Sequence, residues 1–459
     1  MADTPEQALT RLRQHFERGL TEDLAWREQQ LAALESLLLT EEEAIGAALR
    51  ADLGKPAVET MLSEVLGVRR EVRVQRRHLR RWTRPRRARL PLVLLPARGE
   101  IRHVPLGVVL VVSPWNYPVN LVLVPLAAAI AAGNCVVVKP SELAPRTSAL
   151  LAELLPRYLD GRAVAVCEGG AEITTALIDG GVDHVFFTGS PAVGRLVMGR
   201  AAVRLTPVTL ELGGKSPAYV DRSANLEVAA RRLVWGKFMN AGQTCIAPDY
   251  LLADEAILEP LLGAMTEMVR ELYGEEPRNS PDYGRIVDDR HFARLESLLA
   301  TSGGRLVCGG EVDRASRYFA PSIITDLASD SPLMAEEIFG PLLPVLGVAD
   351  HEAAIAEISA RPVPLCAYVF AQDKKVLRDF TARTRSGSIC TNTVLEQFAA
   401  SSLPFGGLGP SGTGHYHGRF GLETFSHLRP VLAKARRPNL KLAYPPYSKR
   451  TKALLRRLL

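Results

Sequence analysis

Cysteine is scarce and unpaired in this sequence. The 459 residues contain six cysteines, and no two of them stand at Cys-x-x-Cys spacing or beside histidines at the spacing of zinc ligands. These absences exclude a disulfide framework and a zinc module. Because free thiols are typical of a reducing compartment, we expect a cytoplasmic protein without a metal centre.

The sequence also lacks a secretory signal and an uninterrupted membrane span. The first twenty residues, MADTPEQALTRLRQHFERGL, contain no apolar core, so they do not resemble a signal peptide. Residues 104–138 carry no charge, but proline, glycine and asparagine interrupt them repeatedly. Such breaks are costly in lipid, and a buried strand, a helix and a second strand fit the pattern better.

The excess of positive charge is small, and aromatic platforms are missing where it is concentrated. Fifty-six basic residues against 50 acidic ones give a net charge of +6. The arginine-rich stretch 69–89 has its charges at helical spacing with no row of aromatic residues between them. This pattern favours a solvated helix face, or attraction to an anionic membrane, over nucleic-acid binding.

The chain is too long for one hydrophobic core, so we expect two or more domains. Residues 5–80 have the pattern of amphipathic helices, and two extended runs around Pro96–Gly99 predict a hairpin arm within 89–107. From residue 107, β-branched runs alternate with helical segments, which predicts a doubly wound parallel sheet followed by a second α/β region. The expected strands of the first sheet are 107–112, 135–139, 163–170, 183–190 and 208–214.

Polar residues or glycines stand at the ends of four of these strands. In strand order they are Asn116, Lys139 with Glu142, Gly189 with Ser190, and Glu211. Because the carboxyl ends of parallel strands meet at one edge of an open sheet, where ligands bind, we expect these residues to share a site. Gly189 would let a pyrophosphate approach the N-terminus of the helix that Ser190 caps.

One cysteine differs from the others in its surroundings. Cys245 lies in a small polar loop, MNAGQTCIAP, whereas several others lie in apolar runs. A thiolate attacks carbonyl carbons well, Asn116 offers an amide donor for an oxyanion, and Glu211 offers a base for water. Taken singly, each residue has a structural alternative: a core cysteine, a turn asparagine and a glutamate in an ion pair.

Six short motifs follow one another along the chain. They are PWNYP (114–118), KPSE (139–142), FTGS (187–190), ELGGKSP (211–217), GQTC (242–245) and EEIFGP (336–341). Together they resemble the aldehyde dehydrogenase family, and PFGGLGPSGTGHYHGRFGLETFSH (404–427) resembles its class 3 branch of fatty- and aromatic-aldehyde enzymes. The resemblance covers about residues 104–430. It implies a Rossmann-type cofactor domain, a second α/β catalytic domain and a small β bridging arm.

The resemblance also implies a role for each residue of the site. Cys245 attacks the aldehyde, Asn116 and the Cys245 backbone N–H hold the oxyanion, and Glu211 activates the water that hydrolyses the thioester. The implied cofactor is NAD, with NADP as the alternative. The residues implied to bind it are Lys139 and Glu142 at the adenosine ribose, Gly189 and Ser190 at the pyrophosphate, and Glu337 and Phe339 at the nicotinamide ribose and ring.

The domain division follows from the same resemblance. The expected units are a cofactor domain in 1–210 interrupted by an arm in 85–104, a catalytic domain in 211–395, a bridging segment in 396–430 and a basic tail in 431–459. The arm and the bridging segment imply a homodimer that takes a small aldehyde and binds no nucleic acid. The tail favours either a docked C-terminal helix or peripheral contact with an anionic membrane.

Two other functions share the fold that the resemblance implies. A CoA-acylating relative passes the acyl group to coenzyme A and tends to lack the base at the position of Glu211, whereas a structural protein would not need Cys245, Asn116 and Glu211 together. Residues 407–412 match Gly-x-Gly-x-x-Gly but follow no buried strand, so they do not predict a dinucleotide-binding loop.

Overall fold

The computed structural model describes residues 4–91, 94–328 and 330–436, together with 444–446, 449, 452–453 and 456. Most of the predicted basic tail, 431–459, therefore lies outside the described residues. Among the helices of this described part, none is both long and apolar enough to cross a bilayer. The uncharged stretch 104–138 instead forms most of two strands and the helix between them.

Fifteen α-helices occur in the described chain. They are α1 (Pro5–Glu17), α2 (Leu24–Thr40), α3 (Glu42–Leu53), α4 (Ala57–Thr60), α5 (Gly67–Trp82), α6 (Asn120–Ala132), α7 (Pro145–Tyr158), α8 (Ala171–Asp179), α9 (Pro191–Ala202), α10 (Leu226–Phe238), α11 (Leu258–Tyr273), α12 (Asp289–Ala300), α13 (His351–Ser359), α14 (Lys374–Arg383) and α15 (Gly418–Thr424). A π-helical segment, Met61–Leu66, joins α4 to α5.

Eighteen strands accompany these helices in the described residues. They are β1 (Arg86–Ala88), β2 (Ala97–Pro105), β3 (Val108–Val112), β4 (Cys135–Lys139), β5 (Val164–Val166), β6 (His184–Thr188), β7 (Val208–Glu211), β8 (Pro217–Val220), β9 (Tyr250–Asp254), β10 (Arg305–Cys308), β11 (Val312–Asp313), β12 (Tyr318–Phe319), β13 (Ser322–Thr325), β14 (Leu342–Val348), β15 (Cys366–Phe370), β16 (Ser388–Thr391), β17 (Gly412–Thr413) and β18 (Ser426–Lys434).

The first large sheet has the order β17-β7-β6-β3-β4-β5, and all of its strands are parallel except β17. Its central strands are short β-branched and aromatic runs that are buried along their whole length, as expected for a sheet covered on both faces. Helices α1, α8 and α9 cover one face, and α2, α5, α6 and α7 pack on the other. The predicted doubly wound α/β fold is confirmed.

The second large sheet has the order β10-β13-β14-β9-β8-β15-β16, with only β10 antiparallel. Its buried residues join a core that extends into the first sheet, so the two sheets share one continuous apolar contact. The structure therefore contains the second α/β unit that the sequence predicts. The division at residue 211 stays a prediction, since β7 ends in the first sheet at that position.

The hairpin arm forms, but with a different turn from the one the sequence predicts. Strand β1 pairs antiparallel with β2, and the connection runs from residue 89 to 96, so Ala97–Gly99 belongs to a strand. Pro91 and Pro96 explain the shift, because proline cannot donate a hydrogen bond to a β-ladder. Strand β18 pairs with β2 over nine residues and completes a three-stranded sheet.

Candidate functional site

Asn116 lies in the buried turn between β3 and α6. Its side-chain amide donates to the carbonyl of Gln243 at 3.0 Å, so this turn reaches directly into the loop of Cys245. Its own backbone carbonyl accepts from the side chain of Asn240 at 2.9 Å. The bond to Gln243 uses one of the two donor hydrogens of the Asn116 NH₂ group.

The loop that carries Cys245 is tightly anchored despite its small residues. Asn240 and Gly242 both have positive φ, and a Cβ at residue 242 would collide with the carbonyl of Gly340. The buried side chain of Gln243 donates to two backbone carbonyls and accepts from the N–H of Val287 at 3.0 Å. Glycine therefore lets the chain approach its neighbour closely, and the Gln243 side chain fixes the loop against the segment 285–287.

Cys245 is half-buried and borders a cavity of about 220 Å³. Most of the cavity wall is apolar, and its side chains come from Leu121, Val124, Trp235, Met239, Ile246 and Phe398. Burial raises the pKa of the Cys245 thiol to about 12, with further increases from the charges of Glu337 and Glu211. The sulfur is thus a protonated thiol at neutral pH, within electrostatic reach of two carboxyl groups.

Glu211 ends β7 and is almost completely buried. Neither of its carboxylate oxygens has a hydrogen-bond partner among the described residues, and burial alone raises its pKa well above the ordinary value. An unpartnered carboxyl group is costly inside a protein. Its position beside Cys245 therefore indicates a functional role more than a structural one.

Glu337 and Phe339 lie in the loop before β14, and not in a helix. The ammonium of Lys215 fixes this loop, because it pairs with Asp249 at 2.5 Å and donates to the carbonyls of residues 333 and 336. Asp249 accepts in turn from the N–H of Ile338 at 2.9 Å.

The Glu337 carboxylate rests against the Cα of Gly213, at a point where a Cβ would collide with it. Burial raises the pKa of Glu337 to about 8. The ring of Phe339 packs edge-on against Trp115, with 5.4 Å between centroids. The Glu337 loop therefore meets both the end of β7 and the turn that precedes α6.

The remaining predicted residues lie along the carboxyl edge of the first sheet. Lys139 ends β4 and pairs with Glu142 at 2.7 Å, with the lysine buried and the glutamate about half exposed. Ser190 follows β6 and caps α9, because its hydroxyl accepts from the N–H of Val193. The hydroxyl of Thr188 is buried beside them without a partner among the described residues.

These residues fit a dinucleotide. The buried hydroxyl of Thr188, which has no partner among the described residues, lies next to the N-terminus of the twelve-residue helix α9, and the positive end of a helix dipole is a favourable setting for a pyrophosphate. The Lys139–Glu142 pair offers a donor and an acceptor for ribose hydroxyls. Glu337 offers a second carboxylate at the end nearer to Cys245.

Several residues beside the site were not identified from the sequence. The hydroxyl of Tyr117 lies 2.7 Å from that of Thr244, and the hydroxyl of Tyr368 donates to the carbonyl of Ile246 at 2.5 Å. The two tyrosines thus hold the loop on either side of Cys245. Tyr117 stands within a quoted motif, but nothing in the sequence near residue 368 signals its contact.

Comparison with known proteins agrees with this geometry. The family model described as "Aldehyde dehydrogenase family" matches residues 3–431. The mouse protein "Aldehyde dehydrogenase family 3 member A2" is 46% identical over 445 residues, which cover 96% of this chain and 92% of that protein.

Solved structures give the same result. A substrate-bound structure of AldH from Staphylococcus aureus is 40% identical and superposes with a TM-score of 0.97 over the whole of both chains. A structure of indole-3-acetaldehyde dehydrogenase with NAD⁺ is 27% identical, with a TM-score of 0.87 over 94% of this chain and 89% of the other. The predicted resemblance, including its class 3 character, is confirmed: this chain belongs to the aldehyde dehydrogenase family.

Proposed function

We propose that this enzyme oxidises apolar aldehydes, medium- or long-chain aliphatic or aromatic, to carboxylic acids with NAD as cofactor and NADP as the alternative. The proposal rests on one observation, the environment of the Cys245 thiol. Cys245 borders an apolar cavity, lies within electrostatic reach of Glu211, and belongs to the loop that receives the amide of Asn116.

The first half of the reaction depends on Cys245 and Asn116. The Cys245 thiol first loses its proton to solvent, and the resulting thiolate adds to the aldehyde carbon, which moves the negative charge to the former carbonyl oxygen. The second amide hydrogen of Asn116 and the backbone N–H of Cys245 stabilise that oxyanion. A bound NAD(P)⁺ would supply the hydride acceptor for this carbon, and Cys245 would then hold the acyl group as a thioester.

The second half depends on Glu211. Its carboxylate takes a proton from a water molecule, and the resulting hydroxide attacks the thioester carbon. Collapse of the tetrahedral adduct releases the carboxylic acid and restores the Cys245 thiolate. Because neither oxygen of Glu211 has a hydrogen-bond partner among the described side chains and amides, both are free to orient water. The presence of this base favours transfer to water over transfer to coenzyme A.

The cofactor residues divide into two groups. At the adenosine end, Lys139 and Glu142 bind the ribose, and the negative charge of Glu142 disfavours a 2′-phosphate and so favours NAD. Gly189 and Ser190 border the pyrophosphate at the N-terminus of α9. At the nicotinamide end, Glu337 and Phe339 border the ribose and the ring, in a loop that the Lys215–Asp249 pair fixes.

The activity is tested with purified enzyme, a panel of aliphatic aldehydes of increasing length, benzaldehyde and cinnamaldehyde, each with NAD⁺ and NADP⁺. We expect absorbance of the reduced cofactor at 340 nm, a preference for apolar aldehydes and a free carboxylic acid by mass spectrometry. Added coenzyme A should neither raise the rate nor appear in the product. Acyl-CoA as the main product would overturn the hydrolytic mechanism.

We also infer a cytoplasmic homodimer that assembles through the arm. Strand β18 is an edge strand of nine residues with exposed Leu428 and Leu432, and an open edge of this length favours pairing with a second copy. Light scattering should give twice the chain mass of 50.0 kDa. A monomer at micromolar concentration contradicts the assembly.

The basic tail carries a separate proposal of peripheral membrane contact. Its sequence from 447 onward alternates basic and apolar residues, which suits an anionic bilayer surface. In sedimentation with phosphatidylserine vesicles, the full chain should pellet with the vesicles and a 1–446 truncation should stay in the supernatant. Equal, negligible pelleting of both proteins contradicts membrane contact.

A further inference from the structure

A fully buried ion pair lies behind the turn that carries Asn116. The Nζ of Lys55 lies 2.5 Å from Oε1 of Glu64, and neither side chain is exposed to solvent. Taking two charges out of water is costly and is compensated only where further hydrogen bonds satisfy both groups. The partners of this pair therefore indicate what it stabilises.

Among the described residues, the other side-chain hydrogen bonds of the pair go to one five-residue turn, 116–120. Lys55 donates to the backbone carbonyl of Asn116 at 2.9 Å and lies over the ring of Tyr117, 4.0 Å from its centroid. The other oxygen of Glu64 accepts from the N–H of Val119 at 3.2 Å and from that of Asn120 at 2.8 Å.

The ion pair is thus hydrogen-bonded to both ends of the turn. The Lys55 ammonium donates a hydrogen bond to the carbonyl at the start of the turn. The Glu64 carboxylate accepts from two backbone amides at the N-terminus of α6 that have no partner within the helix. No side chain within the turn does this: the N-terminus of α6 has no capping hydrogen bond of its own. The turn 116–120 therefore depends on residues more than fifty positions earlier in the chain.

The local backbone near Glu64 is unusual in the same region. Residues Met61–Leu66 form a π-helix, in which Glu64 is fully buried while Leu62 is more than half exposed. A π-helix adds a residue to the helical turn and shifts the side chains that follow, and such segments are frequent at functional sites. Leu62 and Ser63 line the cavity, so this one segment serves both the cavity wall and the ion pair.

We propose that the Lys55–Glu64 pair is a positioning device for the reaction, which holds the Asn116 amide where the oxyanion forms. The inference rests on the proposed role of Asn116 as an oxyanion donor. A donor of this kind works only within about 0.5 Å of its productive position, and a misplacement of about 1 Å can cost on the order of 100-fold in rate. Fixing the backbone on both sides of residue 116 meets that demand.

The test is a double-mutant cycle between Lys55→Met and Asn116→Ala. Methionine keeps an unbranched stem but removes the charge and the donors. We expect Lys55→Met to lower kcat about 10- to 100-fold, with the aldehyde KM and the cofactor Kd changed less than threefold. In the Asn116→Ala background, Lys55→Met should lower kcat no further, because the group that it positions is already gone.

A matched control separates positioning from general loss of stability. Arg27 is another buried cation that donates to backbone carbonyls, those of residues 21, 22 and 131, and none of its hydrogen bonds goes to a residue of the site. Arg27→Met should lower the Tm but leave kcat unchanged when rates are normalised to cofactor-binding sites. Glu64→Gln, which keeps an acceptor and changes the charge, should give an intermediate loss of kcat and serves if Lys55→Met does not fold.

Two results separate the inference from the mechanism on which it rests. If Asn116→Ala retains kcat, the proposed role of Asn116 is wrong. If Asn116→Ala loses kcat while normalised Lys55→Met or Glu64→Gln retains it, or if the two losses multiply, the pair is only structural and the inference is overturned.

Discussion

The two halves of the site are built in opposite ways. The half that we assign to the cofactor stands at the carboxyl ends of β4 and β6, close to solvent and with its charges already paired, as in the Lys139–Glu142 contact. The reacting half contains Cys245 and Glu211, and burial disfavours the charged forms of both. The cofactor half holds its opposite charges in an ion pair, whereas the reacting half buries the Glu211 carboxyl group without a partner among the described residues.

The two halves also differ in their relation to the sheets. Asn116, Lys139, Ser190 and Glu211 follow or end strands of the first sheet, where open α/β sheets bind ligands. Cys245 and its loop precede β9, at the amino end of the second sheet. The turn after β3, at the carboxyl edge of the first sheet, therefore contacts the loop before β9, at the amino edge of the second sheet, through the Asn116–Gln243 hydrogen bond.

The largest expected effect comes from a substitution that changes the reacting half alone. Cys245→Ser should lower aldehyde oxidation at least about 10³-fold, because a hydroxyl is a far poorer nucleophile than a thiolate. The Kd of NAD⁺, measured by fluorescence titration, should change little. Cys308→Ser is the matched control, since Cys308 is also half-buried and lies outside the site. Full turnover by Cys245→Ser would rule out the proposed nucleophile.

Glu211→Gln should separate the two chemical steps. Without a base, we expect one rapid burst of reduced cofactor per site and then turnover slower by about 10²- to 10⁴-fold. Acid quenching and mass spectrometry should find the acyl group on Cys245. A slow reaction without a burst would mean that Glu211 acts before the thioester forms.

The pH profile should reflect the raised pKa values of the reacting half. Cys245 and Glu211 act in their deprotonated forms, and their pKa values lie above the ordinary range. We therefore expect kcat/KM for the aldehyde, which reflects the steps up to thioester formation, to rise with pH by about tenfold per unit between pH 6 and 9 as Cys245 loses its proton. Ionisation of Glu211 should appear instead in the pH dependence of kcat, where hydrolysis limits turnover. Above about pH 8, where Glu337 is ionised, Glu337→Gln should raise kcat/KM, because it removes a negative charge that raises the pKa of Cys245. A flat profile would mean that chemistry does not limit the rate.

The same contrast explains what the sequence could predict. Strands ending in Lys139, Thr188 and Glu211 have clear β-branched or aromatic patterns, so a topological rule brings their ends together. No such rule reaches Cys245, and the short polar loop predicts neither its rigidity nor its electrostatic neighbours. The resemblance to a family supplied that residue's role.

The sequence patterns do not predict contacts between distant parts of the chain. Lys55 and Glu64 stand among ordinary charged helical residues, and Tyr368 stands within an apolar strand. Their contacts with residues 116 and 246 arise only from packing. The turn predicted for the arm is wrong for a local reason, because Pro91 and Pro96 cannot donate hydrogen bonds to the β-ladder and lie outside it.

Glu142→Gln should change the cofactor half without touching the chemistry. The substitution removes the negative charge beside the expected position of a 2′-phosphate, and we expect kcat/KM for NADP⁺ relative to NAD⁺ to rise by about tenfold. The kcat with saturating NAD⁺ should stay within a factor of two. Glu153→Gln, which breaks an exposed ion pair with Arg157, controls for the change of net charge. An unchanged cofactor ratio would remove Glu142 from the ribose site.

Ser190→Ala should have the smallest effect and tests whether the cap of α9 also serves the cofactor. Loss of an N-cap costs about 1 kcal/mol of stability, and here less is expected because the Ser190 hydroxyl accepts at a long 3.4 Å on an exposed helix end. If the pyrophosphate lies against this N-terminus, the Kd of NAD⁺ should also rise by about two- to fivefold. Asp373→Ala removes the cap of α14, where Asp373 accepts from Lys375 at 2.7 Å, and should destabilise the protein without weakening NAD⁺. Equal affinity for NAD⁺ in the two variants would mean that Ser190 is a helix cap only. The cofactor half of the site would then still include Lys139 but not Ser190.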